Sequence, residues 1–306
     1  MTAPTQPAAS GPARAPADPP RDSLSRRISR WAHRHPRWKL AALLSGPVAW
    51  LVLAYLGSLG ALLLTSLYRI DPFTTNVVQE VGWQNFRELW STDVYRTIAV
   101  RTLGIATAVT VIDLLIALPL GFWMAKVVSP RWRRVLVVAV LLPLWANYLV
   151  KGYAWRALLN PAGGVLERTF GWSPGFGVLG TVIVLAYLWL PFMILPVFAG
   201  FERLPNSLLD ASADLGAKAG ATLRRVVVPL VMPSVIAGTI FTFSLSLGDY
   251  ITVQIVGGRT QMIGNVVYSN FGANNIPFAA AFALVPVAVM VVYLMAVRRT
   301  GAFENL

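Results

Sequence analysis

Long apolar stretches without charged side chains constrain the fold of this chain more than any other feature. Four of them, each of 22 residues or more, occupy positions 40–68, 178–199, 226–247 and 276–297. About 20 apolar residues in a helix are enough to cross the hydrocarbon core of a bilayer. Backbone polar groups at that depth must find partners within the protein, which favours helices. The sequence therefore predicts an all-α membrane protein.

Two further apolar stretches bring the prediction to six transmembrane helices. The second predicted span covers about 98–125 and contains one carboxylate, Asp113, near its middle. The third covers about 135–155 and is the least regular, because only 16 residues separate Arg134 from Lys151. The first, second and third spans therefore precede the three uncharged spans in the second half of the chain.

The segment before the first span has a different composition. Residues 1–24 contain six prolines and six alanines without an apolar period, and such a segment cannot bury enough surface to offset the entropy of ordering it. We therefore expect a disordered basic leader over 1–38, followed by the first transmembrane helix over 39–69. Its apolar run is longer than the core of about 7–15 residues found in signal peptides, so we expect the helix to be retained.

The distribution of basic residues predicts the orientation of the chain in the membrane. The formal net charge is +13, from 26 Lys and Arg against 13 Asp and Glu. Eighteen basic residues belong to one set of segments: the leader, 126–134, 201–225 and the tail 298–306. Seven belong to the alternate set: 69–97, 151–176 and 248–275. Since basic residues accumulate on the cytoplasmic side, we expect a multi-pass plasma-membrane (inner-membrane) protein with both termini cytoplasmic. The charge then requires no nucleic-acid partner.

Several classes of enzyme are disfavoured by residues that the chain lacks. It contains no cysteine, and both histidines, His33 and His35, lie in the leader, so neither a thiolate nor a histidine cluster can form in the body. No Gly-x-x-x-x-Gly-Lys-Ser/Thr segment occurs, which argues against ATP binding through a P-loop. The sequence predicts a transport subunit without catalytic residues, metal or cofactor, and an integral-membrane enzyme is the disfavoured alternative.

The loop over 202–225 combines a short amphipathic segment with a bend. Apolar side chains recur at i, i+4, i+7 and i+11, the spacing of one helical face: Leu204, Leu208, Ala211 and Leu215. Polar side chains take the other side: Asn206, Ser207, Asp210 and Asp214. Gly216 follows and allows the chain to turn. Without further information, the pattern would also fit an ordinary interfacial helix between two spans.

This loop resembles the EAA loop of permease subunits in binding-protein-dependent ABC importers. The matching residues are Asp210-Ala211-Ser212-Ala213-Asp214-Leu215-Gly216, then Arg225-Val226, Pro229, Pro233 and Gly238. Asp210 stands where the family has Glu, and Ser212 where it has a second Ala. In that family the helix lies on the cytoplasmic face, in a groove of the ATPase subunit. The resemblance implies a type I ABC importer permease domain over 95–297. It also implies a set of ATPase-coupling residues: Leu208, Asp210, Ala211, Asp214, Leu215 and Gly216.

Two other segments are similar to permease subunits of the spermidine/putrescine type. The first runs over 142–155 and includes Pro143, Trp145, Asn147 and Lys151. The second comprises Ser246-Leu247-Gly248-Asp249-Tyr250, Gly257-Gly258 and Met262-Ile263-Gly264-Asn265. The resemblance implies a polyamine importer. An importer permease for ferric iron, thiamine or an opine-type solute is the alternative, and so is an ATPase-independent secondary carrier. A carrier would have no reason for a docking helix over 202–225.

Six residues are candidates for the substrate path: Asp113, Trp145, Asn147, Tyr148, Asp249 and Tyr250. A carboxylate beside aromatic faces suits a cationic amine. Both carboxylates leave two interpretations open: Asp113 either bonds to a neighbouring helix or lines the path, and Asp249 either pairs with substrate or caps a helix or turn. The aromatic residues near 145–155 either line a cavity or form a belt at the headgroup level.

The resemblance also implies the partners of the chain. They are two ABC ATPase subunits, which hydrolyse ATP, a second permease subunit, an extracytoplasmic substrate-binding protein and the membrane lipid. In this scheme ATP closes the ATPase dimer, the docked helix moves with it, and the permease switches from inward- to outward-facing.

The predicted topology can be tested by single cysteines, because the chain has none of its own. We expect a cysteine at Thr260 to react with a membrane-impermeant thiol reagent in intact cells, and a cysteine at Ser207 to react only after the cells are opened. The reverse labelling pattern would contradict an orientation with cytoplasmic termini.

Overall fold

A computed structural model describes residues 36–71 and 73–298. The predicted leader over 1–38 falls almost wholly outside the described residues, as does the tail after residue 298. The chain divides into two units between Leu59 and Gly60. In the first, helix α1 (Pro36–Leu51) continues into a π-helical turn (Val52–Leu56). Helix α2 (Gly57–Ser66) follows and leads into the second unit.

The second unit is almost entirely helical. A small antiparallel hairpin, with strands β1 (Arg69–Ile70) and β2 (Val77–Val78), precedes the remaining helices. These helices are α3 (Gln84–Ser91), α4 (Asp93–Phe122), α5 (Pro130–Trp145), α6 (Tyr148–Leu159), α7 (Val165–Phe170), α8 (Val178–Arg203), α9 (Asn206–Asp214), α10 (Ala219–Thr222), α11 (Val228–Leu247), α12 (Ile251–Val256), α13 (Ile263–Gly272) and α14 (Ile276–Arg298). Two further π-helical turns, Trp123–Val127 and Leu223–Val227, extend α4 and precede α11.

Five helical stretches of the described chain are long and apolar enough to cross a membrane: Leu43–Ser66, Asp93–Val127, Val178–Arg203, Ala219–Leu247 and Ile276–Arg298. A sixth span results if the consecutive helices α5 and α6 cross together. The prediction of an all-α, multi-span membrane protein is therefore confirmed.

The predicted third span, a continuous helix over about 135–155, is wrong in one respect. Helices α5 and α6 meet at an angle of 92°. Ala146 and Asn147 have extended ψ values of 139° and 136°, which end α5. The Asn147 side chain then accepts a hydrogen bond of 2.9 Å from the Leu149 N–H and begins α6. Asparagine is a favoured residue at this position, so the break has a local cause.

Helix α8 is the centre of the second unit, and α4 and α11 both pack against it. Glycines allow this close approach. A Cβ atom on Gly121 of α4 would lie 3.0 Å from Val197 Cγ1, and one on Gly238 of α11 would lie 2.8 Å from Met193 Sδ. Small residues at helix interfaces are typical of membrane proteins, where they let backbones approach one another.

We expect Gly238→Leu to destabilise the protein by about 1–3 kcal/mol, the usual cost of forcing extra methylenes into a packed interface. Gly104→Leu is the matched control, because a Cβ at Gly104 of α4 would meet nothing within 4 Å. Thermal denaturation in detergent, followed by size-exclusion chromatography, measures both variants. Equal losses of stability in the two variants would contradict the close contact between α8 and α11.

Candidate functional site

A cavity of about 330 Å³ lies where α11 ends and α12 begins. Its lining comes from α6, α8, the last turn of α11, the segment that joins α11 to α12 and the first residue of α12: Tyr148, Trp189, Ser244, Leu245, Gly248, Asp249, Tyr250 and Ile251. Three of the predicted substrate-path residues, Tyr148, Asp249 and Tyr250, therefore share one cavity. Tyr148 and Asp249 are 101 residues apart in the sequence, so the fold brings them together.

Asp249 is the polar centre of this cavity and is only 7% exposed. Its Oδ1 atom accepts a hydrogen bond of 2.9 Å from the Thr252 N–H, one of the free amides at the start of α12. Its Oδ2 atom accepts hydrogen bonds from the hydroxyl groups of Tyr148 and Thr252. The structure thus shows the capping contact, and it also directs one carboxylate oxygen towards side-chain hydroxyls in the cavity wall.

The electrostatic situation of Asp249 favours a cationic ligand. Asp249 lies beyond the last residue of α11, and burial raises the pKa of its carboxyl above the ordinary value while hydrogen bonds from Tyr148 and Thr252 act in the opposite direction. Within the described residues no Lys or Arg forms an ion pair with it. A buried carboxylate without a counter-ion is costly, so a cation entering the cavity would stabilise its charged form.

Aromatic rings line the cavity together with the carboxylate. Tyr148 stacks on Trp189 of α8 with ring centroids 5.9 Å apart. Tyr250 stacks on Tyr268 of α13 at 5.1 Å. The faces of such rings attract cations, which complements Asp249. A second cavity, of about 400 Å³, shares Gly248 and Tyr250 with the first and has Tyr268 in its wall.

Sequence reasoning did not identify Trp189, Thr252 or Tyr268 as part of this site. Trp189 stands within an uncharged span, where an aromatic residue is indistinguishable from one that faces lipid. Thr252 could have been suggested by its position three residues after a candidate capping Asp, whereas the stacking of Tyr268 on Tyr250 is visible only in the fold. The Trp189 Nε1–H has no hydrogen-bond partner in the described part of the chain, so it is free to donate to a ligand or to water.

Two predicted path residues, Trp145 and Asn147, do not line this cavity. The Trp145 side chain at the end of α5 is exposed. The Asn147 side chain is occupied as the cap of α6. Tyr148, which directly follows Asn147, therefore lines the cavity, whereas Trp145 and Asn147 at the bend between α5 and α6 do not.

Asp113 lies deeper, on α4, and is fully buried. Neither of its carboxylate oxygens has a hydrogen-bond partner among the described residues. Val109, one turn before it, packs in the cluster that includes Trp189, and Ala117, one turn after it, packs in the cluster that includes Met193. Asp113 therefore lies between these two levels of α8.

Helix α11 adds unpartnered polar groups. The hydroxyls of Thr242 and Ser246 are buried and also lack a hydrogen-bond partner in the described chain. Gly238 contacts Met193 of α8, and Thr242 follows one turn later. Since buried polar groups are normally satisfied, this group of side chains, together with Asp113, marks the centre of the second unit as a polar region in an apolar surrounding.

The 202–225 loop presents a second candidate surface. Helix α9 begins at Asn206, and Leu204, the first member of the predicted apolar stripe, is buried before the helix starts. The others face outwards: Leu208 is 42% and Leu215 is 87% exposed, and Ala211 is exposed as well. We name Leu208, Ala211 and Leu215 the α9 outer face. Apart from Leu204, the residues of the stripe therefore do not pack into the described core of this chain.

The side of α9 next to the outer face holds the helix in place. The Ser212 side chain is buried, and its hydroxyl shares a hydrogen bond of 2.8 Å with that of Thr222. Leu209 packs against the cluster formed with α4 and α8. Gly216 ends the helix with a φ of 73°, the left-handed conformation that glycine adopts without strain. Its N–H donates to the Ala213 carbonyl at 2.8 Å.

Comparison with known proteins identifies the family. The family model described as "Binding-protein-dependent transport system inner membrane component" matches residues 117–299, more than half of the chain. The inner membrane ABC transporter permease protein YdcU of Escherichia coli (strain K12) is 44% identical and covers 94% of this chain and 97% of its own. The spermidine/putrescine transport system permease protein PotB of Haemophilus influenzae is 32% identical over 72% of this chain and 80% of its own.

Solved structures agree on the fold. A chain of the bacterial alginate ABC transporter, in complex with an alginate pentasaccharide-bound periplasmic protein, has a TM-score of 0.68 at 14% identity and covers 91% of this chain. A chain of the MetNI methionine ABC transporter has a TM-score of 0.55 at 15% identity over 70%. The predicted resemblance to ABC importer permeases is confirmed, and the chain belongs to the family of inner-membrane components of binding-protein-dependent transport systems.

Proposed function

We propose that this chain is a permease subunit of an ATP-driven importer of polyamines of the spermidine and putrescine type. The observation that carries the proposal is the cavity around Asp249, where a buried carboxylate that has no basic partner among the described residues shares the cavity wall with Tyr148, Trp189 and Tyr250. The names of the PotB relatives support the same substrate class.

A polyamine carries two or more ammonium groups along a flexible apolar chain. In the proposed path, one ammonium pairs with Asp249 and contacts the faces of Tyr148 and Tyr250, while the methylene chain lies against Trp189. Asp113 provides a second carboxylate deeper in the unit for a polycation that moves inwards. Separated carboxylates suit a polycation because each ammonium that loses water needs a counter-charge.

The α9 outer face is the proposed contact with an ATPase subunit. Exposed apolar side chains at the end of a transmembrane bundle are typical of an interaction surface, and Leu208, Ala211 and Leu215 together form such a face. Asp210, Asp214 and Gly216 complete the coupling segment. A secondary carrier that works without an ATPase would gain nothing from this outward-facing helix.

The full transporter in this proposal contains the permease, a second permease subunit, two ATPase subunits and an extracytoplasmic binding protein, with both termini of the chain cytoplasmic. ATP is hydrolysed by the ATPase subunits and not by this chain. Closure of the ATPase dimer displaces α9, and the bundle changes between inward- and outward-facing states because the ligands bind the two states differently.

We expect Asp249→Asn to lower the uptake of labelled putrescine and spermidine by about tenfold or more, since removing one partner of a buried charge pair is costly. Asparagine has the same size and retains an oxygen for the Thr252 N–H, so α12 should stay capped. Basal ATP hydrolysis of the reconstituted complex should remain unchanged.

Glu80→Gln is the control for Asp249→Asn, because it removes an exposed carboxylate that pairs with Arg69. It should leave uptake at the level of the unaltered protein. Ferric iron and thiamine are tested beside the polyamines. Uptake of one of these, with no uptake of either polyamine, would contradict the proposed substrate while leaving the importer assignment in place.

We expect Ala211→Glu to weaken binding of the ATPase subunit by about tenfold or more, because the new charge would be buried without a partner in the contact. Ala213→Glu is a closely matched control: it adds the same charge to another exposed alanine, about 200° around the helix. Co-purification and titration of the ATPase with permease in detergent measure the difference. Equal binding by the two variants would contradict docking through the α9 outer face.

A further inference from the structure

We propose that Lys126 and Arg133 form a joint that fixes the end of α4 to the start of α9, so that α4 moves whenever the coupling helix moves. The joint rests on the proposed function, because it concerns how displacement of α9 reaches the helix that carries Asp113. The joint assigns a positioning role to these two basic residues. The charge asymmetry of the chain accounts for their presence on this segment, but it does not account for their contacts.

Lys126 connects three helices. It lies in the π-helical turn Trp123–Val127 that extends α4. Its Nζ atom donates a hydrogen bond of 2.5 Å to the carbonyl of Leu204, the residue that caps α8, and one of 3.0 Å to Oδ1 of Asn206, the first residue of α9. A single ammonium group therefore joins the ends of α4 and α8 to the beginning of α9.

Arg133 fixes the same turn from the side of α5. Its Nε donates to the Met124 carbonyl at 3.2 Å, and its Nη2 donates to the Ala125 carbonyl at 2.6 Å. The last carbonyls of a helix have no partner within the helix, so the guanidinium satisfies groups that would otherwise be free. Its Nη1 also contacts Glu202 Oε1 at 3.4 Å, in the last turn of α8.

Buried apolar side chains flank the backbone part of the joint. Met124, Ala125 and Leu204 are buried, and Phe122 packs edge-on against Phe201 of α8 with ring centroids 5.5 Å apart. Hydrogen bonds from a charged donor are about twice as strong as those between neutral groups, and partial burial reduces competition from water. The contacts therefore resist relative motion of the α4 end and α9.

Neighbouring basic residues do not behave in this way. Arg131 and Arg134 lie on α5 beside Arg133, yet within the described residues neither has a hydrogen bond or an ion pair. Their charge contributes to the same cytoplasmic excess, so they provide controls that separate charge from contact. Lys126 and Arg133 differ from them in what their side chains reach.

A distance measurement tests the joint directly. Spin labels on cysteines introduced at Val127 and Ser207, both exposed, report the separation of the α4 end and α9 in the cysteine-free chain. In the complete transporter we expect the same distance distribution without nucleotide and with bound ATP. A distribution that shifts between the two states in the otherwise unaltered chain would overturn the proposal.

Substitution of Lys126 tests its consequence for transport. Lys126→Met should leave the ATPase bound and ATP hydrolysis active, but lower the number of putrescine molecules imported per ATP by about tenfold, the effect of losing one charged hydrogen bond. Lys126→Arg should restore much of this ratio, and Arg131→Met should not change it. Lys126→Met should also broaden the distance distribution between positions 127 and 207.

The outcomes separate the joint from the proposed function. An unchanged ratio of transport to ATP hydrolysis in Lys126→Met would overturn the joint. Failure of the proposed function would appear in the unaltered chain, as absence of ATPase binding or of polyamine uptake. The label pair would still test the joint in that case, because an unchanged distribution in the isolated Lys126→Met permease would contradict it.

Discussion

Close backbone contact between α8 and its neighbours is the constraint on which the rest of the second unit depends. Helices inside a bilayer gain little from the hydrophobic effect when they associate, because lipid is as apolar as their side chains. Dispersion contacts must therefore hold them together, and these fall off steeply with separation. Gly121 and Gly238 remove the side chains that would keep α4 and α11 away from Val197 and Met193. The polar centre near Asp113 exists within the interface that this packing creates.

The sequence was sufficient for the fold class because a membrane span needs only length and the absence of charge. Because hydropathy reports only length and charge, it could not predict the break within the third span. Hydropathy over about 135–155 favoured one helix, whereas the structure turns by 92° between α5 and α6. The cause is the capping contact of Asn147, a local signal that averaging over an apolar window removes. Asn147 could have indicated the break only if it had been read as the start of a new helix and not as an interior residue of one long helix.

The site was predictable in part, for a different reason. Asp249 and Tyr250 are conspicuous as polar residues beside a span, but their partners are distant in the sequence. Tyr148 and Trp189 reach the cavity from two other helices, and Tyr268 of a third helix stacks on Tyr250. The contacts of Lys126 with Leu204 and Asn206 are likewise separated by 78 and 80 residues. Charge counting predicts a cytoplasmic segment for Lys126, yet only the packed helices specify which carbonyl its ammonium group meets.

The hydrogen bonds of Asp249 have a consequence for a protein that must return without cargo. Oδ1 is bound to a backbone amide of α12, whereas Oδ2 is bound to two hydroxyl groups. Hydroxyl hydrogens rotate at little cost, so a cation can take their place at Oδ2 while the start of α12 stays intact. When the cation leaves, the hydroxyls turn back and satisfy the carboxylate again. The hydroxyl groups thus stabilise the buried carboxylate when the cation is absent, and the cation stabilises it when bound. Asp249 can therefore stay buried both when the transporter carries its cargo and when it is empty.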